Sequence, residues 1–229
     1  MEKFIRLINL IGDHNFHKIQ EVTVLVVGLG GVGSYCLESL ARNGIKNFIL
    51  IDNDEIEKSN LNRQILALDT TIGQAKVEVA QKRIKKINTE AQITTLNTFL
   101  TADNINCLDS FCFDYLVDAC DTLNTKVALA KYAQDKNIKL ISSLGMGARI
   151  DATEVCLTRL DKTYNDPLAK KFRKLLKDQN LSLKIPVVFS KELPVKSRMK
   201  EISSCAHVAA TAGLFITNYI INDILKKEI

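Results

Sequence analysis

A short valine-rich run, Val22 to Gly28, opens directly into Gly28-Leu29-Gly30-Gly31-Val32-Gly33, and a helical pattern follows at once. That order constrains the fold more than any other feature of the chain. An unbroken apolar run suits a strand buried on both faces. Glycines placed between such a strand and a helix permit a tight turn and let the backbone approach a phosphate, while the helix N-terminus offers free N–H groups to an anion. Gly28 and Gly30 would supply the turn and the approach, and Gly33 would let the helix pack on the strand.

The same rhythm continues downstream. Val32 to Asn43 has helical spacing at Cys36, Leu37, Leu40 and Ala41, with Gly44 as its stop. Strands are predicted at Asn47–Asp52, Ile93–Thr98, Tyr115–Cys120 and Lys139–Leu144, and helices at Gly73–Ile87 and Lys126–Lys136. Alternating strands and helices with right-handed crossovers give an α/β fold, a Rossmann-like doubly wound, mainly parallel sheet. From Arg149 the rhythm changes. Ile150–Leu157 and Pro186–Ser190 read as strands without regular crossover helices, so antiparallel strands are expected to extend the sheet in the C-terminal half. Asp166-Pro167 starts a basic helix reaching about Asn180, with Asp166 as cap. The polar stretch Lys191–Glu201 is expected to be a mobile loop, and Cys205–Leu225 a closing apolar helix. His207, Asn218, Asn222 and Asp223 interrupt that helix, which favours a core or dimer helix over a membrane segment.

No repeat or linker divides the 229 residues, so residues 1–229 are expected to form a single domain. Met1-Glu2-Lys3 leads into no signal-peptide pattern, which points to the cytoplasm. The six cysteines contain no C-x-x-C pair, which argues against a four-thiolate zinc site and for reduced, mostly buried thiols. A net charge of +5 permits a polyanionic partner without demanding one.

Asp52 ends the second strand nineteen residues after Gly33, where a carboxylate would accept hydrogen bonds from ribose hydroxyls. Strand, loop and acid together serve NAD and ATP alike. Asn60-Leu61-Asn62-Arg63-Gln64 separates the two, because a dehydrogenase has no need of an arginine there. An enzyme that adenylates a carboxylate does: charge builds on the triphosphate as the carboxylate attacks the α-phosphorus. Arg63 and Lys76 would neutralise that charge and the departing pyrophosphate. Asp121, at the carboxyl edge of the sheet, could hold Mg²⁺.

Taken together, Gly28-x-Gly30-Gly31-x-Gly33, Asp52-x-Asp54, Asn60-x-Asn62-Arg63-Gln64, Lys76 and Asp118-x-x-Asp121 resemble the motif series of the ThiF/MoeB/HesA superfamily, relatives of the ubiquitin-activating enzymes. The resemblance implies that Gly28, Gly30, Gly31, Gly33, Asp52, Asp54, Asn60, Asn62, Arg63, Gln64 and Lys76 bind ATP, with Asp121 on magnesium. It also implies a homodimer in which Arg6 reaches the partner subunit's ATP; an exposed helix charge is the alternative for that arginine.

Two features separate the chain from the sulfur-carrier and ubiquitin-like branches. Paired C-x-x-C motifs are missing, and no cysteine occurs between Leu157 and Cys205. Leu157-Thr158-Arg159-Leu160-Asp161-Lys162-Thr163, then Asp166-Pro167-Leu168-Ala169 and a basic helix, then Val187-Val188-Phe189-Ser190-x-Glu192 resemble the tRNA threonylcarbamoyladenosine dehydratase family. That resemblance implies an ATP- and Mg²⁺-dependent enzyme that adenylates the threonyl carboxylate of a modified tRNA adenosine. The nucleoside then cyclises with release of AMP, and no enzyme nucleophile is required. In that setting Arg159, Lys170, Lys171, Arg173 and Lys174, with Lys177, become candidates for contact with the tRNA backbone, a solvated surface face being the alternative. Cys205 could be a sulfur-accepting or thioester-forming thiol, with a buried or incidental cysteine at a helix start as the alternative, and a sulfur-relay protein is a candidate partner. An adenylating enzyme for a ubiquitin-like or sulfur-carrier protein, a non-catalytic nucleotide-binding protein and an NAD-dependent dehydrogenase are the alternatives.

Overall fold

The structure, a computed structural model, describes residues 2–195 and 203–225. Residues 196–202, and with them most of the expected mobile loop, lie outside the described residues. Helices α1 (Ile5–Ile11) and α2 (Asp13–Glu21) precede strand β1 (Thr23–Val27). Then come α3 (Gly31–Arg42), β2 (Asn47–Ile51), α4 (Lys76–Ile87), β3 (Gln92–Leu96), β4 (Tyr115–Asp118), α5 (Leu123–Asp135) and β5 (Lys139–Ser143). Strand β6 (Val155–Arg159), α6 (Pro167–Asp178), β7 (Pro186–Ser190) and α7 (Ala206–Ile224) complete the chain.

The seven strands form one sheet in the order β3-β2-β1-β4-β5-β7-β6. The order in which strands are added reverses at β1, which pairs in parallel with β2 on one side and β4 on the other. A crevice opens at such a switch point above the carboxyl ends of the strands, where ligands of open α/β sheets bind. The expected antiparallel extension is confined to one strand. β6 runs antiparallel to β7, but β7 lies parallel to β5 through Ser142–Val187 and Ser143–Val188. The reason is topological: β6 starts at the carboxyl edge where β5 has just ended and descends, so β7 starts at the opposite edge and ascends beside β5.

Several boundaries move for local reasons. The helix predicted from Gly73 begins at Lys76, because the preceding residues close a turn: Gly73 donates to Ile56 O (2.8 Å) and Ala75 bridges Glu55. Strand β4 stops at Asp118, where its register with β1 runs out at Val27. Asp151 caps a short 3-10 turn at Ala152–Glu154, so the strand predicted from Ile150 starts only at Val155. The cap predicted for α6 is present as expected: Asp166 accepts from Ala169 N at 2.9 Å, with Pro167 in the first turn.

Apolar residues alternate across β1. Val24 and Val26 face a core built with α3, α4 and α7, while Leu25 and Val27 face one built with α5 and α6. All four are buried, each contributing about 1.5–3 kcal/mol by removal from water. Helix α7 is apolar because it is core: Val208, Ala212, Ile216 and Ile220 are buried, and a Cβ on Gly213 would come within 2.6 Å of Val32 O in α3. Among the described residues no helix is long and apolar enough to cross a membrane. Of the thiols expected to be mostly buried, Cys36 alone is fully so; Cys112 is exposed and the other four are intermediate, and all six are free.

Candidate active site

The glycine loop is shaped by two contacts that leave no room for side chains. Gly28 has φ +89°, and a Cβ there would lie 2.8 Å from Ala119 O and Cys120 N at the end of β4. A Cβ on Gly33 would lie 1.9 Å from Gly28 O, so α3 can start above β1 only with glycine at that position. Gly30 and Gly31 line the cavity above the sheet, and the first turn of α3 presents its N-terminus there.

Asp52 follows β2 into the same crevice. Its carboxylate accepts from Leu29 N (2.6 Å) and Asp54 N (2.9 Å), which ties the glycine loop to the β2 end. Burial pushes its pKa up from the usual carboxylate value, opposed by the Lys76 charge and those two amides. Asp54 in turn positions Lys76 twice: Lys76 N donates to Asp54 O (3.0 Å) and Lys76 Nζ sits 2.7 Å from Asp54 Oδ2. The lysine side chain is 6% exposed and the aspartate 58%, so the ammonium lies inward and its partner stands at the rim. Both line the cavity.

The Asn60–Gln64 segment divides its work. Asn60 is buried and its side-chain oxygen accepts from Glu57 N at 3.2 Å, capping the short turn Lys58–Asn60. Arg63 hangs from Ser59 O (2.7 Å) and Asn62 Oδ1 (3.0 Å), and Asn62 Nδ2 reaches Ser204 O (3.0 Å) just before α7. Gln64 is buried at the cavity wall, and its Oε1 has no partner among the described residues. Asn60, Arg63 and Gln64 line the cavity, and Asn62 braces the arginine from behind.

At the end of β4 the two aspartates separate. Asp118 is wholly buried, bound by Lys126 Nζ at 3.0 Å to each oxygen and by Ser142 Oγ at 2.5 Å. Lys126 Nζ also donates to Ser143 O (2.7 Å), fastening the ends of β4 and β5 together beneath the cavity. Asp121 is exposed and lines the cavity, its oxygen touched by Thr122 Oγ1 at 3.4 Å. Cys120 between them donates to Asp118 Oδ1 (3.1 Å), and burial together with that negative charge pushes its thiol pKa up. It stays a thiol at neutral pH and is a poor nucleophile. Among the described residues no group of three His, Cys, Asp or Glu side chains could hold a metal ion.

The cavity, ≈ 1070 Å³ in volume, is larger than the nucleotide motifs require. It continues past Asp121 to Ser143–Gly147, Arg149, Asp166 and Ser204. Of this second lobe only the Asp166-Pro167-Leu168 segment belonged to a motif read from the sequence; Ser143–Gly147, Arg149 and Ser204 come from segments that carried none. Its loop is held firmly: Ala148 N donates to Ser203 O (2.6 Å), Val195 N to Ala148 O (2.8 Å) and Cys205 Sγ to Arg149 O (3.3 Å). These contacts sustain Ala148 at φ +56°, a conformation that costs about 1 kcal/mol or more.

The remaining candidates lie outside the cavity lining. Arg6 is exposed on α1. On α6, Lys170, Lys171, Lys174 and Lys177 are exposed, while Leu176 and Phe172 pack inward. Arg173 differs from its neighbours: its guanidinium turns in to Thr163 O (3.0 Å), Thr163 Oγ1 and Leu160 O. Arg159 is engaged by Asp161 at 2.8 Å and is 45% exposed.

Residues 4–227 match the ThiF family. The chain is 34% identical over 243 aligned positions to a Bacillus subtilis protein named tRNA threonylcarbamoyladenosine dehydratase, covering 99% of this chain and 96% of that protein. A Haemophilus influenzae protein of the same name is 35% identical, over 92% of this chain and 88% of its own. The solved E. coli tRNA N6-threonylcarbamoyladenosine dehydratase in complex with ATP superposes with a TM-score of 0.93 at 35% identity, covering 99% of this chain and 95% of that one.

Proposed function

We propose that this chain, which belongs to the ThiF family, is an ATP-dependent tRNA threonylcarbamoyladenosine dehydratase. The observation that carries the reading is the buried Lys76 ammonium, set by Asp54 into the same cavity as Arg63 and the glycine loop. Relatives carrying that name over nearly the whole chain support the choice of substrate.

ATP would lie with its ribose at Asp52 and its phosphates over Gly30, Gly31 and the start of α3. The substrate's threonyl carboxylate attacks the α-phosphorus, the bond from that phosphorus to the bridging oxygen breaks, and pyrophosphate leaves with the electron pair. Lys76 and Arg63 stabilise charge that grows on the transferring and departing phosphates. A ureido atom of the same nucleoside then attacks the acyl carbon and expels AMP, giving up its proton to solvent. The balance is loss of one water from the nucleoside against ATP converted to AMP and pyrophosphate. Attack is intramolecular, so orientation rather than an enzyme nucleophile supplies the rate. Mg²⁺ would be held by Asp121 together with phosphate oxygens. One free carboxylate fits an ion that takes one or two carboxylates plus phosphates and water, and its contribution is neutralisation of phosphate charge.

Residues 1–229 are read as a single domain acting in the cytoplasm as a homodimer. Ile5 and Leu10 on α1, Leu68 and Ile72 before α4, and Leu214 on α7 are exposed apolar side chains that a second copy would cover. Arg6, on the same helix as Ile5 and Leu10, would point toward the partner's nucleotide. The tRNA backbone would run along Lys170, Lys171 and Lys174. Arg159 and Arg173 would join only by giving up the partners they hold. A sulfur-relay protein would meet Cys205, 3.7 Å from His207.

The deciding experiment incubates purified protein and ATP with tRNA bearing threonylcarbamoyladenosine, then weighs the nucleosides. Loss of one water with stoichiometric AMP is expected. No mass change, with pyrophosphate exchange stimulated by a carrier protein ending in Gly-Gly, would replace this reading with the carrier-protein one.

A further inference from the structure

Among the described residues, Arg149 is the one buried side chain of the second lobe with an unpartnered polar atom. It is 3% exposed, yet among the described residues its Nε has no hydrogen-bond partner and its only side-chain bond runs from Nη2 to Asn165 O at 3.1 Å. The nearest carboxylates are committed elsewhere. Asp166 accepts from Gly145 N (3.0 Å) and Ala169 N (2.9 Å), and Glu192 Oε2 accepts from Ile150 N (2.9 Å) and Asp151 N (3.0 Å). Both act on Arg149 through space, while its side-chain bond among the described residues goes to Asn165 O and to neither carboxylate. Burial lowers its pKa from the usual guanidinium value, opposed by the Asp166 and Glu192 charges, and a guanidinium remains a cation in proteins. A buried guanidinium with an unmet Nε–H, on the wall of a cavity, is a receptor for a planar oxyanion.

We propose that Arg149 binds the carboxylate of the substrate nucleoside and delivers it to the ATP. The inference rests on the reading in the preceding subsection. A carboxylate is preferred to a phosphate because the phosphates already have the glycine loop, the start of α3, Arg63 and Lys76 in the other lobe. Among the described residues that line the Ser143–Gly147 lobe, no other carries positive charge. The backbone of Arg149 is also pinned, by Cys205 Sγ to its carbonyl and by the bonds of Ala148 to Ser203 and Val195, so the guanidinium is placed by the fold rather than by the ligand. Arg149 acts on the charged carboxylate before adenylation; once the acyl phosphate forms, that charge is gone. Its loss therefore weakens substrate capture more than turnover.

The test measures two ratios. In the wild-type protein, with ATP omitted so that no adenylation occurs, binding of tRNA bearing threonylcarbamoyladenosine is competed by the free nucleoside, which carries the carboxylate, and by its carboxamide analogue. The carboxylate competitor should bind roughly 10- to 100-fold more tightly than the carboxamide, as expected for a charge-assisted pair. In R149Q the preference should fall to near one and KM for substrate tRNA should rise by a similar factor, with kcat changed less and the Kd for ATP unchanged. R149K should recover part of the preference. Equal discrimination by wild type and R149Q, with intact ATP binding, would overturn the Arg149 assignment alone. Should R149Q not fold, equal binding of carboxylate and carboxamide by the wild type overturns it. A wild-type protein that makes no AMP from any nucleoside or tRNA substrate, but does so with a carrier protein, overturns the underlying reading instead.

Discussion

Replacing Lys126 by methionine would remove the cation at the centre of the sheet's carboxyl edge while keeping the length of the side chain. The ammonium meets both Asp118 oxygens at 3.0 Å and Ser143 O at 2.7 Å, and both charged residues are wholly buried. Without it Asp118 keeps only neutral donors, Ser142 Oγ and Cys120 Sγ. An uncompensated buried charge costs about 3–5 kcal/mol. For a chain of this size, with a urea dependence of about 3 kcal/mol/M, the unfolding midpoint should fall by roughly 1–1.7 M. Removing the carboxylate as well should restore part of the loss, because the buried pair is worth little against an apolar replacement. D118L/K126M should then be about 2 kcal/mol more stable than K126M, a non-additivity read directly from a double-mutant cycle. Urea unfolding followed by circular dichroism at several protein concentrations supplies the numbers. A loss below about 1 kcal/mol for K126M, or strict additivity in the cycle, would show that the pair is not the desolvated clamp described above.

Four further outcomes follow from the same geometry. Gly33→Ala should abolish ATP binding, checked by calorimetry, since its Cβ would sit 1.9 Å from Gly28 O and α3 would have to lift off β1. Lys76→Ala and Arg63→Ala should each lower AMP formation by about 10²–10³-fold while thermal unfolding of Arg63→Ala stays within about 1 kcal/mol of wild type. The raised pKa of Asp52 means that the folded state holds its proton more tightly, so its stability contribution is present below pH 3.8 and is lost as pH rises through the folded pKa. Nucleotide affinity should move the other way, falling as pH drops through that folded value, and Asp52→Asn should flatten this limb in a titration of ATP binding. Reversing charge at Lys170, Lys171 and Lys174 should weaken tRNA binding at low salt and reduce the salt slope by up to about three contacts' worth, with ATP binding unaffected.

The mainly parallel sheet, the glycine loop and the Asp166 cap were legible because each rests on local chemistry: apolar runs, left-handed backbone and a side chain bonding three residues ahead. Spacing likewise brought Asp52, Arg63, Lys76 and Asp121 to one sheet edge, since strand ends of a doubly wound fold converge there. Other properties depend on partners far along the chain. Lys126 looks like any helix lysine until Asp118, Ser142 and Ser143 close around it from two strands. Arg173 reads as one of five basic residues on a surface, and only its contacts with Thr163 and Leu160 remove it from the exposed set. The direction of β7 follows from the edge at which β6 leaves it, a matter of topology rather than of hydrophobic pattern. Arg149 is the plainest case. Its burial and its unmet N–H are produced by Asn165, Asp166, Glu192 and Cys205, all at least sixteen residues away, and no local pattern encodes them. The sequence by itself determined the nucleotide half of the cavity, because that half is built from short-range motifs. The tertiary structure decided the other half, because burial and partner count exist only once distant segments have packed.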